Sequence, residues 1–88
     1  MRGGFALDYK TLINRPKTKR GLETLNRILS AAAEEFYEKG YHSTGISDIT
    51  RRAGVAAGTF YSYFDTKYNL YKFKVVFYFD IGILFYIL

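Results

Sequence analysis

The chain has 88 residues, with 13 Lys and Arg against 8 Asp and Glu, which gives a formal net charge of +5. This length allows one small domain at most, and the basic charge is compatible with nucleic acid or an anionic membrane as a partner. The absence of cysteine excludes a disulfide framework, and the single histidine, His42, is interpreted as a solvated loop residue because it has no second metal ligand nearby.

The first predicted element is a flexible basic arm over residues 1–17, which has no clean hydrophobic period. Residues 1–27 hold seven basic side chains against two acidic ones, and the basic residues are Arg2, Lys10, Arg15, Lys17, Lys19, Arg20 and Arg27. No apolar stretch follows Arg2 as it would in a secretory signal, so we expect the chain to be cytoplasmic.

A first helix is predicted over residues 20–39, because apolar residues recur there at spacings of three and four. These residues are Leu22, Leu25, Ile28, Leu29, Ala32 and Phe36. Gly40 follows as a natural left-handed stop. Glu34 and Glu35 are interpreted as part of a solvated face, since adjacent residues on a helix do not face each other.

A second helix is predicted over residues 46–53. Asp48 lies in its first turn, where the helix dipole favours an acid, and Thr44 or Gly45 is the expected N-cap. Gly54 ends the helix. A helix of about eight residues is not stable in isolation, so its neighbours must hold it in place.

The stretch GVAAGTFYSYF, from Gly54 to Phe64, predicts a tight turn and then a third helix over residues 57–64. At roughly 100° per residue, Ala57, Phe60 and Phe64 point toward the first two helices. The opposite side carries small residues flanked by two rings, and its members are Gly58, Thr59, Ser62, Tyr61 and Tyr63. Small residues admit close approach of another surface, and hydroxyl groups can donate to phosphates at its rims.

Two short helices joined by a glycine-containing turn, the second with an accessible face, form the helix-turn-helix pattern. The alternative is a bundle of three packed helices in which all the aromatic residues are core. We accept core burial for Phe60 and Phe64. Burial of both Tyr61 and Tyr63 would require a helix that is apolar all round, so both are expected on the outward side.

The stretch EKGYHSTGISDITRRAGVAAGTFYSYFDTKYNL closely resembles the N-terminal DNA-binding domain of TetR-type transcriptional regulators. The resemblance covers about residues 18–72, with the helix-turn-helix at about 45–64. The matching residues are Gly40-Tyr41, Thr44, Ile49, Ala53-Gly54-Val55, Gly58-Thr59-Phe60-Tyr61, Phe64, Lys67 and Leu70. The resemblance implies an all-α, homeodomain-like three-helix domain followed by the start of a fourth helix.

The resemblance also implies the residues that bind DNA: Thr44, Ala57, Gly58, Thr59, Tyr61, Tyr63 and Lys67. Thr44 would contact a phosphate at the start of the second helix, and Lys67 would bind a phosphate at the start of the fourth helix. The three residues that open the third helix would enter the major groove, and the two tyrosines would touch backbone and base edges. The sequence departs from the family at Ala56 and Ala57, where a capping Ser followed by Lys or another polar residue is common. The lost cap costs about 1 kcal/mol of local stability, and Ala57 offers a methyl group in place of hydrogen bonds.

A fourth helix is predicted to begin near Thr66 as its N-cap, and the resemblance stops after about Lys72. Residues 73–88 form a hydrophobic tail with no family match, which we expect to prolong the fourth helix. Its last part, residues 75–88, is shorter than the roughly 20 residues that span a bilayer. Because the family's ligand-sensing and dimer-forming domain is missing, we hypothesise a truncated or frameshifted reading frame, with a short regulator evolved as such as the alternative.

Two classes of function remain at this point. The first is a repressor-like DNA-binding transcription regulator with double-stranded DNA as its partner; the family forms homodimers, but the dimer-forming domain is absent here. The second is a non-functional fragment, or a membrane- or protein-interaction peptide that uses the tail and the basic arm. The sequence has no nucleophile–base arrangement and no phosphate-cradling loop, so no catalysis, cofactor, metal or small-molecule site is expected.

Overall fold

The structure is a computed structural model that describes residues 13–74, and this part of the chain is all-α, as predicted. Helix α1 spans Lys19–Lys39, α2 spans Ile46–Ala53 and α3 spans Ala57–Tyr61. A fourth helix, α4, begins at residue 67 and continues to residue 74, where the description ends. The predicted prolongation of α4 through the tail, and residues 1–12 of the predicted arm, lie outside the described residues.

The buried stripe of α1 is rotated relative to the predicted one. Leu22 is 49% exposed, whereas Glu35 is buried. The buried residues of the helix are Leu25, Ile28, Leu29, Ala31, Ala32 and Glu35. At roughly 100° per residue, Leu22 lies about 80° from Ala32, at the edge of this stripe close to Leu29. It also lies in the first turn of α1, before the first buried residue of the helix, Leu25. The prediction that Leu22 belongs to the core face is therefore wrong.

The helix ends follow from local chemistry, and the roles of Gly40, Gly54 and Gly45 agree with the prediction. The Thr18 hydroxyl accepts a hydrogen bond from an N–H of the first turn of α1 at 3.0 Å. Gly40 and Gly54, which end α1 and α2, have φ values of 88° and 74°, where an L side chain would be strained. Gly45 is the N-cap of α2, and its N–H donates to the Asp48 carboxylate at 2.8 Å.

An ion-pair network joins α1 to α2. Arg52 of α2 lies 3.0 Å from Glu34, 3.0 Å from Glu35 and 2.9 Å from Glu38. The second carboxylate oxygen of Glu35 lies 3.0 Å from the Lys39 ammonium group. The interpretation of Glu35 as solvated is therefore wrong, because the rotation of α1 turns this carboxylate toward α2, where two cations compensate its burial.

The C-terminal end of α2 is held by Arg27 of α1. The guanidinium group donates to the Ala53 carbonyl oxygen from Nε at 3.3 Å and from Nη2 at 3.1 Å, and to the Gly54 carbonyl oxygen at 3.4 Å. The last carbonyls of a helix have no partner within the helix, so this contact satisfies them and also meets the negative end of the dipole. The prediction that neighbours hold this short helix in place is confirmed.

Helix α3 is shorter than the predicted span of 57–64. After Tyr61 the chain tightens, with the Ser62 N–H bonded to the Thr59 carbonyl and the Tyr63 N–H bonded to the Phe60 carbonyl. This turn redirects the chain toward α4, whose N-cap is Thr66 as predicted, with its hydroxyl accepting a hydrogen bond from an N–H of the first turn at 3.0 Å.

The core lies where α1, α2 and α3 meet, and α4 covers one side of it. Phe60 and Phe64 are fully buried, as predicted, with ring centroids 5.7 Å apart. Leu70 is also fully buried, and Phe73 packs on Phe64 at 5.8 Å between centroids. Of the helices in residues 13–74, none combines the length and the apolar character needed to cross a bilayer.

Candidate nucleic-acid interface

Helix α3 presents a face with little bulk. Ala57, Gly58 and Ser62 are exposed, and Tyr61 at its edge is 52% exposed. A Cβ added at Gly58 would meet nothing within 4 Å. The predicted inward direction of Ala57 is wrong, because the turn before α3 plugs the core with Val55 and leaves the first helical residue outside.

Thr44 is buried, with 1% of its surface exposed. Its hydroxyl donates to the Glu35 carbonyl oxygen at 3.2 Å and to the Gly40 carbonyl oxygen at 2.8 Å. The first carbonyl lies near the C-terminal end of α1, and the second belongs to Gly40, the residue that ends the helix. The side chain therefore ties the α1–α2 linker to α1 and does not face solvent, in contrast to the phosphate contact that the resemblance implies.

Tyr63 turns inward rather than outward. Its ring is 9% exposed within the core, and its hydroxyl donates to the Gly21 carbonyl oxygen at 2.8 Å. The predicted exposure is wrong because the chain tightens after Tyr61: the Tyr63 N–H bonds to the Phe60 carbonyl, and in such a turn residues three apart lie on the same side. Tyr63 therefore follows the buried Phe60 into the core. A tyrosine can bury its ring whenever its hydroxyl finds a partner.

Lys67 is half-buried at the start of α4. Its ammonium group donates to the carbonyl oxygens of Tyr41 at 2.8 Å and Thr44 at 2.9 Å, and it lies 4.2 Å from the centroid of the Tyr41 ring. This cation therefore fastens the α1–α2 linker to α4. The phosphate clamp implied by the resemblance would have to use the one donor position that these contacts leave.

The predicted site residues therefore form two groups. Ala57, Gly58, Thr59 and Tyr61 lie together along α3, whereas Thr44, Tyr63 and Lys67 make contacts inside the protein. The buried role of Glu35 and the contact of Arg27 with the end of α2 were not predicted. A Glu at the edge of an apolar stripe, with an Arg on the next helix, is a weak sequence signal that could have indicated the buried role of Glu35.

Charge contacts fix the N-terminal end of α2, which precedes the turn and α3. The N–H of Gly45 bonded to Asp48 lowers the pKa of this carboxyl, and the nearby Arg51 and Lys39 act in the same direction against partial burial. The Glu35 carboxylate raises the pKa of Lys39. In residues 13–74, no three His, Cys, Asp or Glu side chains gather to hold a metal ion.

Comparison with known proteins places these elements in a family. The family model for bacterial regulatory proteins of the tetR family matches residues 28–72, just over half of the chain. The match takes in most of α1, both helices of the helix-turn-helix and the start of α4.

Individual relatives match the same region. The chain is 42% identical over 48 residues to the uncharacterized HTH-type transcriptional regulator YdgC of Bacillus subtilis, covering 54% of this chain and 25% of that protein. It is 41% identical over 49 residues to the HTH-type transcriptional activator FasR of Mycolicibacterium smegmatis, covering 56% of this chain and 22% of that protein. It is 40% identical over 62 residues to the HTH-type transcriptional regulator HbdR of Aromatoleum sp., covering 70% of this chain and 26% of that protein.

The chain thus spans about a quarter of the length of these relatives. The shared quarter contains the helix-turn-helix, and the family match follows the elements that position the exposed face of α3. The chain therefore belongs to the tetR family of bacterial regulatory proteins.

Proposed function

We propose that this chain is a DNA-binding transcription regulator that inserts α3 into the major groove of duplex DNA. The observation that carries the proposal is the open face of α3 at Gly58, where an added Cβ would have no neighbour within 4 Å. A surface this bare on the second helix of a helix-turn-helix allows the backbone to approach base edges closely. The family match and the names of the relatives, all regulators, support a non-enzymatic role.

The contacts within the protein support a rigid presentation of α3. Phe60 and Phe64 seat it on the core, while Arg27 and Arg52 fasten the preceding α2 to α1. In the proposed complex, the Ala57 methyl group meets thymine methyls, and the hydroxyls of Thr59 and Tyr61 donate to base edges or phosphates.

Thr44, Tyr63 and Lys67 act in this proposal mainly by holding the surroundings of α3 in place. Each side chain donates a hydrogen bond to at least one carbonyl oxygen of the protein, at distances between 2.8 and 3.2 Å. Lys67 retains a positive charge beside the linker, so it also adds to the attraction for phosphates. Because the bacterial chromosome lies in the cytoplasm, we place the regulator there.

The test is duplex binding by the Gly58→Glu variant, measured by fluorescence anisotropy together with helical content by circular dichroism. The open surroundings of Gly58 leave room for the side chain, so we expect the helices to remain. The carboxylate would face the phosphates at close range, so binding should be lost. Gly58→Gln, of matched size and no charge, is the control and should bind more weakly than the parent but better than Gly58→Glu. Unchanged affinity of the folded Gly58→Glu protein would contradict the proposal.

A further inference from the structure

The segment that leads into α1 is packed against the protein. Ile13 is 6% exposed and belongs to the core. The Asn14 N–H donates to the Tyr63 carbonyl oxygen at 2.8 Å. Pro16 lies so close to Gly21 that a Cβ added there would be 3.0 Å from the proline Cβ. Residues 13–17 of the predicted flexible arm are therefore docked.

Both ends of this segment are attached to a single residue beside α3. The Tyr63 carbonyl accepts from Asn14, and the Tyr63 hydroxyl donates to the Gly21 carbonyl at 2.8 Å. Tyr63 follows the last residue of α3, Tyr61, by two positions. Residues 14–21 are thus held next to the C-terminal end of α3.

The exposed side chains of residues 14–21 are predominantly basic. Arg15, Lys17, Lys19 and Arg20 are all exposed, and within residues 13–74 none of them forms an ion pair. Lys19 and Arg20 open α1, whose first turn contains no acid. Cations at the N-terminal end of a helix oppose its dipole, so these residues cost stability and fold energetics give no reason for them.

We infer that residues 15–20 form a second DNA-contacting surface, which binds the sugar-phosphate backbone beside the groove that α3 enters. This inference rests on the proposed function. Phosphates line both sides of a major groove about 12 Å wide, so a basic segment attached to the end of α3 lies within side-chain reach of one of the two backbones. Arg and Lys there would neutralise phosphates and release counterions.

The test measures how the affinity of the full chain for a mixed-sequence duplex depends on salt, between about 50 and 200 mM. Lys17→Gln and Lys19→Gln should each reduce the slope of log K against log[salt] by about 0.9, the value for one lost phosphate contact. Both variants should keep their helical content, and Lys19→Gln should melt no lower than the parent, since it removes a cation that opposes the dipole of α1.

Lys72→Gln is the matched control. It removes the same charge from an exposed position far from the basic segment. The residue before it, Tyr71, packs on Phe36, which lies about 25 Å along α1 from Lys19. Its slope should equal that of the parent, and Lys19→Arg should restore the parent slope.

The outcomes separate the inference from the function on which it rests. If the parent binds duplex DNA with a salt-dependent affinity but Lys17→Gln and Lys19→Gln behave like Lys72→Gln, the inference is overturned and the proposed function stands. If the parent shows no salt-dependent binding at all, the proposed function itself fails.

Discussion

At the residue scale, the two faces of α3 differ most clearly at Phe60 and Tyr61. Phe60 is fully buried, whereas its neighbour Tyr61 is 52% exposed, and their ring centroids are 5.4 Å apart. One side chain therefore supports the fold and the other is available to a partner. Substitutions at the two positions should separate stability from binding.

Phe60→Ala should unfold the protein. Removing a buried Phe costs about 3–5 kcal/mol, which approaches the whole stability of a small domain. Circular dichroism should show loss of helix for Phe60→Ala, while Tyr61→Ala retains helix and loses DNA affinity. The assignment of the two faces is wrong if Tyr61→Ala melts the helices and Phe60→Ala leaves them intact.

Tyr63→Phe should destabilise the protein without removing the ring from the core. The lost hydroxyl leaves the Gly21 carbonyl without its donor at 2.8 Å. One such hydrogen bond is worth about 1 kcal/mol, or roughly 4–8 °C in Tm for a domain of this size. Thermal melts measure the change in Tm, and Tyr61→Phe, whose hydroxyl is outside the core, is the control. An equally small change in Tm for both variants would show that the Tyr63 hydroxyl does not anchor the ring.

At the scale of the elements, the predicted helices agree with the structure where the information is local. Apolar spacing and glycine stops located α1 and α2 to within one residue, and Thr66 marked the start of α4. The anchoring of the Tyr63 hydroxyl depends on a contact between residues 42 apart in sequence, Tyr63 and Gly21. No periodicity carries that information.

The candidate site was predictable to the same extent. The outward direction of Gly58 follows from helical spacing within α3. The engagement of Lys67 does not, because a lysine at the start of α4 can meet a phosphate or two carbonyl oxygens with the same chemistry. Only the position of Tyr41 and the linker decides between them.

Helix α3 lacks a side-chain cap at its N-terminus, and a single substitution can supply one. Ala56 is its N-cap, with the extended backbone that capping requires (φ −74°, ψ 155°) and no side-chain acceptor. Ala56→Ser should therefore raise stability by about 1 kcal/mol, detected as a higher Tm. Ala57→Ser, one residue later and outside the cap geometry, is the control; a rise of equal size there would argue against capping as the cause.

The cap of α2 should make stability depend on pH. The pKa of Asp48 is lowered in the folded protein, so its charge stabilises the fold above the unfolded pKa of about 3.9, and this contribution is lost as the pH falls through the folded value. Asp48→Asn should therefore be less stable than the parent at neutral pH, with the difference closing below about pH 4. Urea unfolding across pH measures this. Asp65→Asn, at an exposed position, is the control for a general loss of negative charge. If Asp48→Asn remained less stable than the parent at low pH, the charge of Asp48 could not be the cause of the difference.

At the scale of the whole molecule, the described residues supply one helix, α3, with the recognition role that we propose. Helix-turn-helix proteins gain affinity by placing two such helices one duplex turn apart. A single copy of this chain should therefore bind duplex DNA in the roughly micromolar range or more weakly, with an affinity that falls steeply with salt. Anisotropy titrations with sedimentation of the same samples measure both affinity and copy number. Nanomolar binding at physiological salt would show that two copies pair.

The attachment of α2 at both ends also determines how the molecule opens. Arg27 holds the carbonyls at the C-terminal end of α2, while Arg52 and, just before α2, Thr44 both contact the C-terminal part of α1. So short a helix would ordinarily fray by itself and exchange its amide hydrogens quickly. Because these contacts hold it to α1 at both ends, we expect α1 and α2 to open together and their amides to exchange hydrogen at a common, slow rate. We therefore expect the support under α3 to be either complete or unfolded, without a populated form in which α2 alone has come away from α1.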